Sequence, residues 1–303
     1  MRDTFITELV HQAELDDRIF LITPDIGYSV LEKFRDRFPD RYLNVGIAEQ
    51  NAVGVAAGLA LSGKIVYVYS IIPFVTMRCF EQVRVDLAYM RTNVRMVGVG
   101  AGFSYGPAGA THHSIEDIAI MRALPNMTVC CPGDPVEVKE IIRQSVTHDG
   151  PMYIRLGKNR EPKIHNELSD IKIGKASQIK KGKDLCILTT SNMLEQGYNW
   201  TNELTNYGVE ASLISFHTIK PFDKEMVLNI INEGVPILTL EEHNIIGGLA
   251  TSVSEVIAES GKGVKFKKIG VPDMYSHIVG DHEFIRNKLI LNGNGIQEIL
   301  EWL

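Results

Sequence analysis

Apolar residues recur along this chain in two alternating rhythms. Residues 3–16 carry them at helical spacing, and the run Arg18-Ile-Phe-Leu-Ile-Thr23 behind them is short, branched and continuous, as in a strand buried on both faces. The pattern repeats with a helix over 28–38, a helix-like Ala/Val/Gly/Leu run from Ala52 to Leu61 headed by Glu49, a strand at Lys64–Tyr69, a helix at Phe74–Met90 and a strand at Val94–Val99. A glycine-rich loop from Gly100 to His113 then leads to a helix at Ser114–Ala123, a strand at Met127–Cys131, a helix at Pro135–Thr147 and a strand at Met152–Leu156. Strands alternating with helices predict an α/β fold with a mostly parallel sheet covered on both faces.

Residues 157–183 break the rhythm. They are polar and Lys-rich, end in Lys180-Lys-Gly-Lys183, and read as a linker or crossing segment. The alternation restarts with strands at Leu185–Thr190, 209–214, Ile237–Leu240 and 264–269, helices at 193–207, 223–233 and 245–260 between them, and a last helix at 294–303. The expected layout is two α/β domains, residues 1–165 and 184–303, joined by 166–183. A chain of 303 residues gives each enough length for its own core.

Composition narrows the class. Hydrophobic content of 45% and charged content of 22% are ordinary for a soluble globular protein, and a formal net charge of −6 argues against a general nucleic-acid or anionic-membrane binder. The N-terminus lacks the long apolar core of a signal peptide and no apolar run is long enough to span a bilayer, so cytoplasmic residence is expected. Cys79, Cys130, Cys131 and Cys186 show no CxxC spacing, which suggests neither a zinc site nor a disulfide framework.

The candidate chemistry starts at Asn44-Val-Gly-Ile-Ala-Glu49-Gln-Asn51. Glu49 heads an apolar run, and no Lys or Arg lies between Tyr42 and Lys64. A carboxylate so placed, without a cationic partner, is expected to hold a proton near neutrality. A plainer reading makes Gly46 the N-cap and Glu49 the N3 residue of a helix, where an acid suits the macrodipole. The loop Gly98–His113 follows a strand, but Phe103 stands where the third glycine of a Rossmann fingerprint belongs, and no Gly-Lys-Ser/Thr follows for a P-loop. Its end, His112-His113 before the candidate cap Ser114, suits proton shuttling or hydrogen bonding to a substrate oxygen, and equally a solvated surface. Arg155 and Lys158, at the close of a strand, fit a phosphate or two solvent-side charges at a domain edge. Glu241-Glu-His243-Asn-Ile-Ile-Gly-Gly248 fits a ligand turn, and better a helix cap packed on the neighbouring sheet.

Taken together, Asn44–Gln50, Gly109-Ala-Thr-His112, Leu124-Pro-Asn-Met127, Asp149-Gly-Pro151, Tyr153-Ile-Arg-Leu-Gly157, His217-Thr-Ile-Lys-Pro221 and Glu241–Gly248 resemble the C-terminal half of transketolase. The resemblance is greatest to the separately encoded C-terminal subunit of split transketolases and covers nearly the whole chain. It implies a thiamine pyrimidine-binding domain followed by a transketolase C-terminal domain, a layout shared with 1-deoxyxylulose-5-phosphate synthases and the beta subunits of 2-oxo acid dehydrogenases. It also implies roles. Glu49 would hydrogen-bond a ring nitrogen of thiamine's aminopyrimidine and promote its imino tautomer, Phe74 would stack on that ring, Arg78 would line the same wall, and Asp25 would reach the cofactor region. His112 would contact a substrate oxygen, and Lys158, with Arg155 nearby, would replace the arginine that holds the substrate phosphate in many relatives.

Two departures bear on substrate. Ala108 stands where many transketolases have an Asp that reads donor hydroxyls, and Lys158 replaces a bidentate Arg, so a modified or deoxygenated sugar becomes credible. Ala101, in place of a further arginine, counts against deoxyxylulose phosphate synthesis. The family holds the diphosphate and Mg²⁺ through Gly-Asp-Gly and a later Asn, whereas the Gly-Asp pairs of this chain continue as Gly133-Asp-Pro and Gly280-Asp-His. The resemblance therefore implies an N-terminal partner subunit that holds the diphosphate and Mg²⁺, in a heterotetramer of two pairs. The alternatives are the beta subunit of a 2-oxo acid dehydrogenase and a non-catalytic regulatory subunit.

Overall fold

The computed structural model describes residues 1–158, 160–166, 170–291 and 295–303; residues 167–169 of the expected linker and residue 294 of the expected last helix lie outside them. Six strands of the first sheet arise early in the chain: β1 (Ile19–Thr23), β2 (Tyr42–Asn44), β3 (Ile65–Ile71), β4 (Val94–Val99), β5 (Thr128–Cys130) and β6 (Met152–Leu156). They pair in parallel, and β3, β4 and β6 are buried along their whole length. Continuous apolar runs are what a sheet covered on both faces demands.

The helices of this half include α1 (Arg2–Leu15), α2 (Glu32–Arg37), α3 (Glu49–Leu61), α4 (Ile72–Thr76), α5 (Phe80–Gln82), α6 (Asp117–Ala123) and α7 (Pro135–Ser145). Phe5, Leu9 and Ala13 of α1 share one buried stripe, and α3 packs through Ala52, Val53, Ala56 and Ala57, small residues that let it lie close to β1 and β3. Pro135 opens α7 just behind Asp134, whose carboxylate accepts the Glu137 N–H at 2.9 Å. The long helix expected over 74–90 is broken. Pro73 lies in the first turn of α4, α5 is a single turn, and Val83–Tyr89 is π-helical.

The second sheet contains β7 (Ser177–Lys180), β8 (Leu185–Thr189), β9 (Ala211–Ser215), β11 (Ile237–Asn244) and β12 (Phe266–Val271), in the order β12-β11-β8-β9-β7. The stretch read as a linker or crossing segment contributes β7, an antiparallel edge strand on β9. The intervening strand β10 (Thr218–Lys220) leaves this sheet and pairs antiparallel with β5, so the first sheet runs β10-β5-β6-β4-β3-β1-β2. Helices α8 (Leu194–Leu204), α9 (Lys224–Glu233), α10 (Leu249–Ser260), α11 (His282–Arg286) and α12 (Gly295–Trp302) complete this half, and α11 is an element the apolar pattern does not announce. Among the described residues no helix is long and apolar enough to cross a membrane, and the four cysteines are buried thiols.

Arg155 joins the two halves. Its guanidinium is fully buried and donates to Asp117 Oδ2 (2.8 Å), Ser191 Oγ (3.0 Å), and the carbonyls of Ser114 (2.8 Å) and Glu242 (3.1 Å). The expectation that Arg155 meets a substrate phosphate is overturned, as is its reading as a solvent-side charge, because its donors are spent inside the protein. Ser114 is not a helix cap either. Its hydroxyl donates to the Gly100 carbonyl at 3.1 Å, and α6 begins later with Glu116 in the capping position.

Candidate functional site

Connections leaving β1 and β3 run in opposite directions across the sheet, from β1 outward to β2 and from β3 inward to β4. Such a reversal opens a crevice at the carboxyl ends of the strands. Asp25 follows β1, Glu49 follows β2, Phe74 follows β3, His112 lies on the loop after β4, and Lys158 stands just beyond β6.

Glu49 is the first residue of α3, with Ala48 at the capping position, so Gly46 is not the cap and Glu49 is not N3. Its side chain is 6% exposed. The expectation that it lacks a cationic partner fails, because Arg78 Nη1 donates to both carboxylate oxygens at 3.2 Å. The Arg78 guanidinium carbon lies 4.1 Å from the Phe74 ring centroid. His112 meets Phe74 with ring centroids 5.0 Å apart at 68°, and Tyr105 lies 5.8 Å from His112 on centroids. Lys158 Nζ sits 4.3 Å from the Tyr105 centroid. The structure thus gathers Glu49, Arg78, Phe74, His112 and Lys158 into one strip.

Asp25 stands beside that strip rather than in it. Its carboxylate accepts from Asn44 Nδ2 (2.9 Å) and the Tyr28 hydroxyl (3.0 Å), bonds that hold its pKa below the ordinary carboxylate value. Asn44 Oδ1 in turn accepts the Asp25 and Gly46 N–H groups at 3.0 and 2.9 Å, which fixes the loop leading to Glu49.

Burial, then the neighbouring charges of His113, Arg78 and Lys158, push the His112 pKa down, so its imidazole is neutral at physiological pH. Thr111 Oγ1 lies 2.9 Å from its Nδ1 and orients the ring. A neutral imidazole can take up a proton or donate a hydrogen bond to an oxygen. Burial and the charge of Arg2 likewise lower the Lys158 pKa.

Arg2 and Tyr105 are members the sequence reading missed. Tyr105 was signalled by being an aromatic in a glycine loop, while nothing in the local pattern marks Arg2, which α1 brings from the other end of this half of the chain. The Glu241 turn takes its structural reading, for the Glu241 carboxylate accepts the Leu249 and Ala250 N–H groups of α10 at 2.7 and 2.8 Å.

A buried carboxylate, an aromatic face and a histidine thus stand together at the strand-end crevice of an α/β fold, where such folds usually bind their ligands. The family patterns for the transketolase pyrimidine-binding domain and the transketolase C-terminal domain match residues 1–162 and 174–286. The chain is 35% identical to an apulose-4-phosphate transketolase subunit of Actinobacillus succinogenes, covering 93% of this chain and 91% of that protein. It is 36% identical to the 6-deoxy-6-sulfo-D-fructose transketolase subunit SqwH of a Clostridium species, over 98% and 92% of the two chains. A solved split-gene transketolase, described as an inactive beta4 tetramer, superposes with a TM-score of 0.91 at 31% identity, covering 100% of this chain and 97% of that one. The chain belongs to the transketolase family, whose members depend on thiamine diphosphate. It is a transketolase-type transferase subunit, and the dehydrogenase and regulatory alternatives give way to that reading.

Proposed function

We propose that this chain supplies the pyrimidine side of a thiamine diphosphate site and, with an N-terminal partner subunit that holds the diphosphate and Mg²⁺, transfers a two-carbon ketol unit between sugars bearing a terminal anion. The observation that carries this is the shared position of Glu49 and Phe74. One planar guanidinium, that of Arg78, bonds the acid and lies over the aromatic face at stacking distance, so a flat ring in its place would meet both.

Thiamine diphosphate, when bound, would supply the nucleophile for ketol transfer. Glu49 would hold or yield a proton at a ring nitrogen of that group, and Phe74 would orient the ring by stacking. His112, neutral and set by Thr111, donates to or accepts from a substrate oxygen. Lys158, held against Tyr105 with the charge of Arg2 close by, attracts the far anionic end of the sugar. Two named relatives act on a phosphorylated and a sulfonated sugar. The Lys158 ammonium is a point charge rather than a fork, so it attracts a terminal phosphate or a sulfonate without requiring two-point recognition.

The partner requirement rests on what the chain does with its own Gly-Asp pairs. Asp134 and Asp281 are both helix caps, accepting the Glu137 and Phe284 N–H groups at 2.9 and 2.8 Å. We propose an assembly of two such pairs; that a solved split-gene transketolase forms a tetramer supports the count of four chains.

The test is reconstitution. The chain mixed with an N-terminal subunit, thiamine diphosphate and Mg²⁺ should transfer ketol units from a panel of phosphorylated and sulfonated ketoses, and the chain alone should not. Substantial transfer by the purified chain alone, or none by the mixture with any member of the panel, would refute the proposal.

A further inference from the structure

The loop that presents His112 is gripped by the second half of the chain. Glu242, in β11, is fully buried, and its Oε1 accepts the Phe103 N–H at 2.6 Å and lies 2.7 Å from His282 Nε2. Its Oε2 accepts from Asn192 Nδ2 at 3.0 Å and Arg286 Nε at 2.7 Å. Two glycines make the grip possible. A Cβ on Gly102, whose φ is +59°, would collide with Glu242 Oε1, and one on Gly106 would collide with the carbonyl oxygen of Gly280. Phe103 meets the His113 ring edge-on at 5.0 Å, and His113 Nε2 lies 3.1 Å from the Gly106 carbonyl oxygen. The Gly102–His113 segment is therefore pinned at Phe103 and folded back on itself next to His112.

We infer that Glu242, with His282 and Arg286, is a positioning residue for the transferase reaction: it fixes the glycine loop so that His112 stands between Phe74 and Tyr105. The inference rests on the reading of His112 as a substrate-contacting residue. A buried carboxylate is costly unless its charge and lone pairs are matched, and here a guanidinium, an imidazole, an amide and a backbone N–H match them. Burial acts to raise the Glu242 pKa, but Arg286 and His282 beside it bring it down to about 2, so the group stays ionised under working conditions. Displacing a catalytic group by about 1 Å costs on the order of 10²-fold in rate, which is the scale of effect a loosened loop would have. The adjacent Glu241 provides a contrast, since its carboxylate caps α10 and makes no bond to the loop among those resolved for it.

The experiment compares Glu242→Ala, Glu242→Gln, His282→Gln and Glu241→Gln. In the full chain, NMR follows the His112 ring through a pH titration, and in the complex with the partner subunit, steady-state kinetics give kcat and KM. Glu242→Ala should raise the His112 midpoint toward that of an exposed histidine, because the loosened loop takes the ring out of its half-buried place and away from Arg78 and Lys158. It should also lower kcat on the order of 10²-fold with a much smaller change in KM. Glu242→Gln, which keeps an acceptor for the Phe103 N–H, should recover part of the loss. If Glu242→Ala does not fold, His282→Gln, whose native side chain is 15% exposed, carries the same test.

A normal kcat in Glu242→Ala and His282→Gln, a lowered kcat with an unmoved His112 titration, or an equal shift in Glu241→Gln would overturn the inference. Because the titration needs no catalysis, failure of the brace shows there, whereas failure of the transketolase reading shows as an inert wild-type complex.

Discussion

Arg78 binds both carboxylate oxygens of Glu49 at 3.2 Å, and the pair is unequal in burial, Glu49 at 6% and Arg78 at 49% exposure. The arginine is the end that can leave. Since its guanidinium also covers Phe74, it must swing outward before a ring can stack there. Glu49 is nearly buried, so Arg78→Ala leaves its carboxylate without a cation and should lower stability by about 1–3 kcal/mol, a loss read by chemical denaturation. Stopped-flow mixing of the assembled subunits with thiamine diphosphate should show faster uptake in that variant, and an unchanged or slower rate would show that Arg78 is not in the way.

Glu49→Gln keeps the shape of the side chain and removes its proton chemistry. Turnover by the reconstituted enzyme should fall about 10²–10⁴-fold, while size-exclusion chromatography shows the same assembly. Wild-type turnover would point to a passive role for this position.

The His112 pKa lies below its ordinary value of 6.5, through burial first and then the charges of His113, Arg78 and Lys158. Its neutral form therefore persists below pH 6.5, and the acid limb of kcat/KM should fall beneath the range of a free histidine. Lys158→Gln removes one of those charges, so the limb should move up toward the ordinary value. Loss of the ammonium should also raise KM for an anionic ketose roughly tenfold or more, the scale of a charge-assisted hydrogen bond. A pH–rate profile and KM series on the two proteins check both parts.

Arg155→Leu should behave as a stability variant. It leaves the Asp117 carboxylate buried without its cation, at a cost of about 3–5 kcal/mol in chemical denaturation. A raised KM with unaltered denaturation would restore Arg155 to the substrate.

The order of strands and helices was legible because each period, near two or near 3.6 residues, is a local property. So was the Glu49 segment, as an acid leading an apolar helix. What escaped depends on distant partners. Arg78 and Glu49 are far apart in the chain, and no local pattern joins them. Arg155 and Lys158 look alike as neighbouring charges at a strand end, yet Asp117, brought in by α6, claims the first and leaves the second at the crevice. The helix expected over 74–90 breaks into a turn and a π-helical stretch where Cys79 Sγ donates to the Val75 carbonyl at 2.9 Å, a bond that propensity does not foretell. β2 was missed because it is a short edge strand whose residues are partly or well exposed, so it lacks an apolar run.

β10 belongs by position to one half of the chain and by hydrogen bonding to the other, Thr218 facing Cys130 and Lys220 facing Val129. The two halves are consequently not separable cassettes. Cutting the gene between them would strip β5 of its outer neighbour, leaving β6 on the other side and a raw backbone rim, a template for sticking to other chains.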